Sequence, residues 1–129
     1  MAEITDFTIT LSDEQRFCIA DVFDKQKVQI TDYNAALIWK KTFDLITSGW
    51  DWAKLSRTGK GAIPDLDRVQ QVTLSPSNGH VIVLQLLVAM REGTYDGGEV
   101  RIMVEAIEMV REHVPGLILL DQEQDRAGS

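Results

Sequence analysis

The stretch Thr73-Leu74-Ser75-Pro76-Ser77-Asn78-Gly79-His80-Val81-Ile82-Val83 admits two readings, and the choice between them decides the fold. Read as a helix start, Ser75 caps and Pro76 takes the first helical position, where its missing amide leaves no partner unsatisfied. The apolar run then continues through Leu84, Leu86, Leu87, Val88, Ala89 and Met90 to Gly93. A helix apolar around nearly its whole circumference belongs at the centre of a molecule. Read as a hairpin, Asn78-Gly79 is the turn between Val72-Thr73-Leu74 and His80-Val81-Ile82-Val83, and the protein becomes α+β. The run to Met90 lacks period-two alternation, which favours the helix.

A second argument comes from upstream. Thr10-Leu11-Ser12 is the same tripeptide as Thr73-Leu74-Ser75, 63 residues earlier. Each copy follows an apolar lead-in (Phe7, Ile9, Leu11; Val69, Val72, Leu74) and opens a helix, a polar break and a further helix. In the first copy Ser12-Asp13-Glu14-Gln15 has the form of a capping box, and Phe17, Cys18, Ala20, Val22 and Phe23 carry the helix to Gln26. Thr31-Asp32 offers the next cap, followed by a stripe of Tyr33, Ala36, Trp39, Phe43 and Ile46, with Gly49 as a left-handed stop. In the second copy Asp96-Gly97-Gly98-Glu99 reads as a reciprocal cap. Val100, Met103, Val104, Ile107 and Val110 form an inner stripe, and Pro115-Gly116 ends the helix.

The expected fold is therefore mainly α: two helical hairpins with helices near 12–26, 31–48, 75–92 and 97–113, read as an internal duplication. Short extended lead-ins cover 6–11 and 69–74, and an apolar segment Leu117-Ile118-Leu119-Leu120 follows. The α+β hairpin at Asn78-Gly79 stands as the alternative. One domain over 1–129 is expected, with halves 1–49 and 67–116, a connector 50–66 and a polar tail 121–129.

Composition agrees with a self-folding chain, since 129 residues with 44% hydrophobic and 26% charged residues lie far from the disordered regime. The lone Cys18 precludes an internal disulfide and, between Phe17 and Ile19, reads as a small buried hydrophobe. The N-terminal residues carry no basic and apolar leader pattern. The longest apolar run, Val81 to Met90, is broken by Gln85 and too short to span a bilayer, so a soluble cytoplasmic protein or a virion component is expected. A net charge of −7 argues against direct nucleic-acid binding. The positive charge is local to the connector and the residues just after it: over residues 54–70 four bases stand against two acids.

No chemistry announces itself. His80 and His113 lie in no nucleophile–base context, and the soft ligands lack zinc spacing. Glu105, Glu108 and Glu112 interleave with Arg101 and Arg111 as on a solvated helix face. Asp121-Gln122-Glu123-Gln124-Asp125 lacks the glycine and closing Glu of a calcium loop. Arg57-Thr58-Gly59-Lys60-Gly61 fails as a P-loop, because Lys54 and Gly61 stand where Gly and Ser or Thr are needed. The sequence assigns no catalytic residue, metal or cofactor.

What it does offer is an aromatic and basic connector, Trp50, Trp52, Lys54, Arg57 and Lys60, and a second apolar row on the last helix, Ile102, Ala106 and Met109. The tryptophans suit either burial beneath a loop or anchorage of a partner. These features point to a non-catalytic helical protein that binds another protein or a second copy of itself, including a structural subunit of a phage-like particle. The alternative is an acidic inhibitor or immunity-type protein that covers a basic surface of a nuclease or nucleic-acid-binding partner. A third reading is a small carboxylate-dependent enzyme, whose signature is a perturbed carboxylate lining a pocket.

Overall fold

The computed structural model describes residues 5–26, 32–93 and 95–114. The readings placed on Pro115-Gly116, on Leu117 to Leu120 and on the tail 121–129 lie outside the described residues. Strand β1 (Phe7–Ser12) leads into α1 (Asp13–Lys25), and α2 (Tyr33–Ile46) follows. A short helix α3 (Trp52–Thr58) and a 3-10 turn (Lys60–Ala62) precede β2 (Val69–Leu74), α4 (Pro76–Glu92) and α5 (Gly97–Arg111). The fold is mostly helical with one small sheet.

The decisive stretch is a helix. Ser75 Oγ accepts from the Asn78 amide at 3.1 Å, while Asn78 Oδ1 accepts from the Ser75 amide at 2.9 Å. Asn78 therefore serves as the third residue of a capping box, and its side-chain amide also donates to Thr42 Oγ1 of α2 at 2.9 Å. Gly79 is helical and buried, and its missing side chain admits neighbours. A Cβ built there would lie 2.9 Å from Val110 and 3.0 Å from Phe7. Thus the Asn-Gly pair serves a cap and a close packing contact in place of a turn.

Ser12 and Gln15 form the matching box at the start of α1, with bonds of 3.1 and 2.9 Å. The two lead-ins pair with each other as an antiparallel ribbon in which Phe7 faces Leu74 and Ile9 faces Val72. Alternation then sorts the side chains. Phe7, Ile9, Leu11, Val72 and Leu74 turn inward and are buried, while Thr8, Thr10, Gln71 and Thr73 are exposed.

Above this ribbon α4 touches α1, α2, α5 and β2, as its nearly continuous apolar surface requires. Ile82, Leu86 and Ala89 are fully buried, with Ile19, Val22 and Phe23 of α1 and Met103, Ala106 and Val110 of α5. Each fully buried Leu, Ile or Phe contributes about 1.5–3 kcal/mol. The left-handed Gly93 closes α4, and Gly49, at φ 82°, follows the end of α2.

Two charges of opposite sign, Arg16 and Asp13, are buried among these side chains. Arg16 is 1% exposed; it donates to Asp13 Oδ1 and the Ile46 carbonyl, both at 3.0 Å, and to the Ser48 carbonyl. Those two carbonyls lie at the C-terminus of α2, where the helix leaves acceptors unpaired and carries partial negative charge. Trp50 closes the arrangement, its ring centroid 3.9 Å from the guanidinium carbon.

Four details differ from the sequence expectation. The connector contains α3, capped by Asp51, whose side chain accepts from the Lys54 amide at 3.4 Å, and stopped by Gly59 at φ 79°. The helix occupies the glycine-free residues between cap and stop, and the glycines that made the segment read as loop, Gly59 and Gly61, lie beyond its end. Tyr33 is 75% exposed and no part of the buried stripe. Because Arg16 meets Ile46 and Phe23 meets Trp39, α2 runs antiparallel to α1, and its first turn extends beyond Lys25, where α1 ends. On α5, Ala106 is fully buried and Val104 is 39% exposed. The helix packs against α1 as well as α4, which turns its buried arc away from Val104 towards Ala106. The Asp96 cap works one way, with Asp96 Oδ1 accepting from the Glu99 amide at 2.9 Å and no return bond among the described residues.

Candidate functional site

The outer side of α1 forms the floor of a groove of about 550 Å3. Glu14, Phe17, Cys18, Asp21 and Lys25 recur there at steps of one, three and four, one face of the helix. Two banks rise beside it. One is the connector, with Ser56 from α3 and Gly59 and Lys60 just after it; the other is Glu92, Tyr95, Glu99 and Ile102 from the α4–α5 junction and the start of α5.

The connector bank is held by aromatic packing and one ion pair. Trp52 sits 5.3 Å from Phe17 and edge-on to Phe43 at 5.9 Å, which seats α3 on α1 and α2. Lys60 Nζ meets Glu14 Oε2 at 3.2 Å, a bridge across 46 residues of sequence. On the floor Lys25 pairs with Asp21 at 3.1 Å. Both lysines of the groove are thus matched by carboxylates, while Glu92 and Glu99 bring further negative charge.

The titrating groups register this environment. Burial first, and then the Glu99 and Asp21 carboxylates, push the Cys18 thiol up to about 12, with Lys60 opposing. Tyr95 is likewise pushed up to about 12, by burial and then by Asp21. Burial and the neighbouring Asp96 raise Glu99 above the usual carboxylate range. A thiol held protonated this firmly is a poor nucleophile.

The residues singled out from sequence separate into distinct places. Lys60 and Ile102 meet on the two banks of this one groove. Trp52 stands behind Phe17, half-buried against the core, and Trp50 covers Arg16, so both tryptophans have work inside the chain. Lys54 and Arg57 are exposed on α3, and Lys54 lines a smaller hollow of about 350 Å3 with Asp13, Trp50 and Arg68. Ala106 belongs to the core and Met109 packs on it half-buried.

Sequence reasoning missed Glu14, Phe17, Asp21, Glu92, Tyr95 and Glu99 as members of one site. Glu14 and Glu99 were legible as cap residues, but three separated segments have to converge before they share a surface. Neither histidine lines the groove. His80 is half-buried in the first turn of α4, and His113 stacks on Phe7 with ring centroids 4.9 Å apart. Among the described residues no group of three or more His, Cys, Asp or Glu is placed to hold a metal ion. No helix among them is long and apolar enough to cross a membrane. No protein-family model matches the chain, and no curated protein or solved structure shows significant similarity to it.

Proposed function

We propose that this is a non-catalytic protein that acts by binding another protein, and that the groove over α1 is its docking site. The observation that carries this reading is the groove's construction. Apolar surface from Phe17 on the floor and Ile102 on one bank lies among charged groups, of which Lys25 and Lys60 are held in ion pairs by Asp21 and Glu14, while Glu92 and Glu99 leave an excess of negative charge. Such a lining suits recognition. An assembly role, including that of a subunit in a phage-like particle, is one form of it, with a second copy as the partner.

The internal duplication belongs with this reading. The shift of 63 residues that superimposes the two Thr-Leu-Ser openings carries Ile9 onto Val72, and these two residues face each other in the ribbon. Matching boxes at Ser12 and Ser75 support it further. Two copies of one strand-helix-helix unit, joined about a two-fold axis through that pair, account for both features.

A second reading has one observation in its favour. Glu99 is a carboxylate raised above its usual range in a groove, which is the property of a general acid. Its shift is accounted for by burial and Asp96, and the Cys18 thiol in the same groove is held protonated.

Light scattering of the purified chain, alone and with lysate of its source cell, tests the first reading. The expected result is a defined complex, with itself or with a partner, that the variant Ile102→Asp loses while keeping its helical circular dichroism. A monomer under every condition, or the same complex formed by wild type and variant, overturns it.

A further inference from the structure

Accepting the groove as a docking site, the chemistry of its lining identifies what it receives. Of the charged side chains that line it, four are acidic, Glu14, Asp21, Glu92 and Glu99, and two are basic, Lys25 and Lys60. Glu14 and Asp21 hold the two lysines at 3.2 and 3.1 Å. Glu92, and Glu99 with Asp96 beside it, lie outside these two pairs and give the cavity its excess of negative charge. They stand beside flat, apolar surface supplied by Phe17, Tyr95 and Ile102.

We propose that the groove is a slot for an arginine-bearing segment of a partner protein, with the guanidinium between the aromatic walls and the Glu92 and Glu99 carboxylates. Arginine fits this lining better than lysine. Its planar cation stacks on aromatic faces, presents donors to two carboxylates at once, and sheds water more readily than an ammonium group. The volume of about 550 Å3 admits one such side chain with the backbone that carries it. The protein already shows the same recognition inside its own fold, where Arg16 lies against Trp50 and donates to Asp13. A net charge of −7 draws a basic partner in, and the ion-paired Lys25 and Lys60 limit repulsion at the slot.

The two paired lysines make a sharp test, because their removal raises the negative charge of the groove. The probe is a hexa-arginine peptide titrated into the 15N-labelled full chain, with hexa-lysine and hexa-glutamate as comparison peptides. The expected outcome is amide shifts concentrated at Phe17, Lys60, Tyr95 and Ile102, with hexa-arginine the tightest binder. The double variant Glu92→Gln/Glu99→Gln should weaken the peptide roughly five- to tenfold, and Lys60→Ala, which frees Glu14, should tighten it about two- to fivefold. These positions are exposed or half-buried, and retention of the amide spectrum checks the fold of each variant.

Equal binding of hexa-arginine and hexa-lysine, shifts scattered over the acidic surface, or indifference to both variants would each overturn the proposal. The broader interaction reading is tested separately by the complex seen in light scattering. A complex that persists in Glu92→Gln/Glu99→Gln leaves that reading standing and removes the arginine slot. Absence of any complex removes the reading itself.

Discussion

Replacing Arg16 by Met should be the most damaging single change in the chain outside the apolar core. Methionine keeps most of the side chain's length and helix propensity, so the loss isolates the guanidinium. Three acceptors lose their donor: Asp13 Oδ1 and the carbonyls of Ile46 and Ser48. The Asp13 side chain is only 6% exposed, so water does not readily replace what is removed. Removing one partner of a buried ion pair costs about 3–5 kcal/mol, because the remaining charge stays desolvated and unpaired. The orphaned α2 carbonyls and the lost Trp50 contact act in the same direction. Against a total stability of about 5–15 kcal/mol for a domain, this is a large fraction. Equilibrium urea unfolding followed by circular dichroism measures it as a fall of about 2 M in midpoint at unchanged slope. The double variant Asp13→Leu/Arg16→Met, which removes both charges, should recover part of the loss and report a coupling above about 1 kcal/mol in the cycle. A loss below about 1 kcal/mol for Arg16→Met at unchanged slope would refute the reasoning, since it would mean that the site is already wet.

Two further predictions concern packing and pH. Gly79→Ala should destabilise the fold by about 1–3 kcal/mol despite the better helix propensity of alanine, because the new methyl group meets Val110 at 2.9 Å and Phe7 at 3.0 Å; thermal unfolding of the variant measures it, and a rise in midpoint would contradict the packing. Cys18 has its pKa raised on folding from 9.0 to about 12, so its stabilising effect is complete below pH 9 and is lost as pH rises from about 9 to about 12, by at most about 1.4 kcal/mol per pH unit. Urea midpoints between pH 8 and 11 should therefore fall less steeply in Cys18→Ala than in wild type, and parallel curves would remove the thiol from the account.

The parts of the fold that could be read from sequence are those fixed within a few residues of one another. Ser12 with Gln15, and Ser75 before Pro76, specify helix starts locally; both starts form, the second with Asn78 completing a box beyond the sequence expectation. Gly93 ends α4 in the left-handed conformation that its position implies. At Asn78-Gly79 that local box is joined by contacts no local pattern contains: Asn78 reaches Thr42, and Gly79 lies under Val110 and Phe7. Arg16 marks the limit of reading by hydrophobicity. It occupies the same stripe as Ile19, Ala20 and Phe23, at steps of three, four and seven, and that placement of a charge was the available signal of a buried anchor.

The groove was less legible still, because its charge balance is a tertiary property. Counted along the sequence, Lys60 belongs to a basic connector and Glu14 to a helix cap. Brought together at 3.2 Å, they cancel, and the bank that looked positive lies on a cavity with an excess of carboxylates. The connector's cations are thereby divided by structure: Lys60 is absorbed into the groove, while Lys54 and Arg57 stay on the exposed side of α3. A partner drawn by the connector's basic composition and one drawn by the groove would carry opposite charges. On the proposed docking the groove is the stronger determinant, since it adds enclosure and the aromatic surface of Phe17 and Tyr95 to its charge, and the long-range field of a chain at −7 reinforces it.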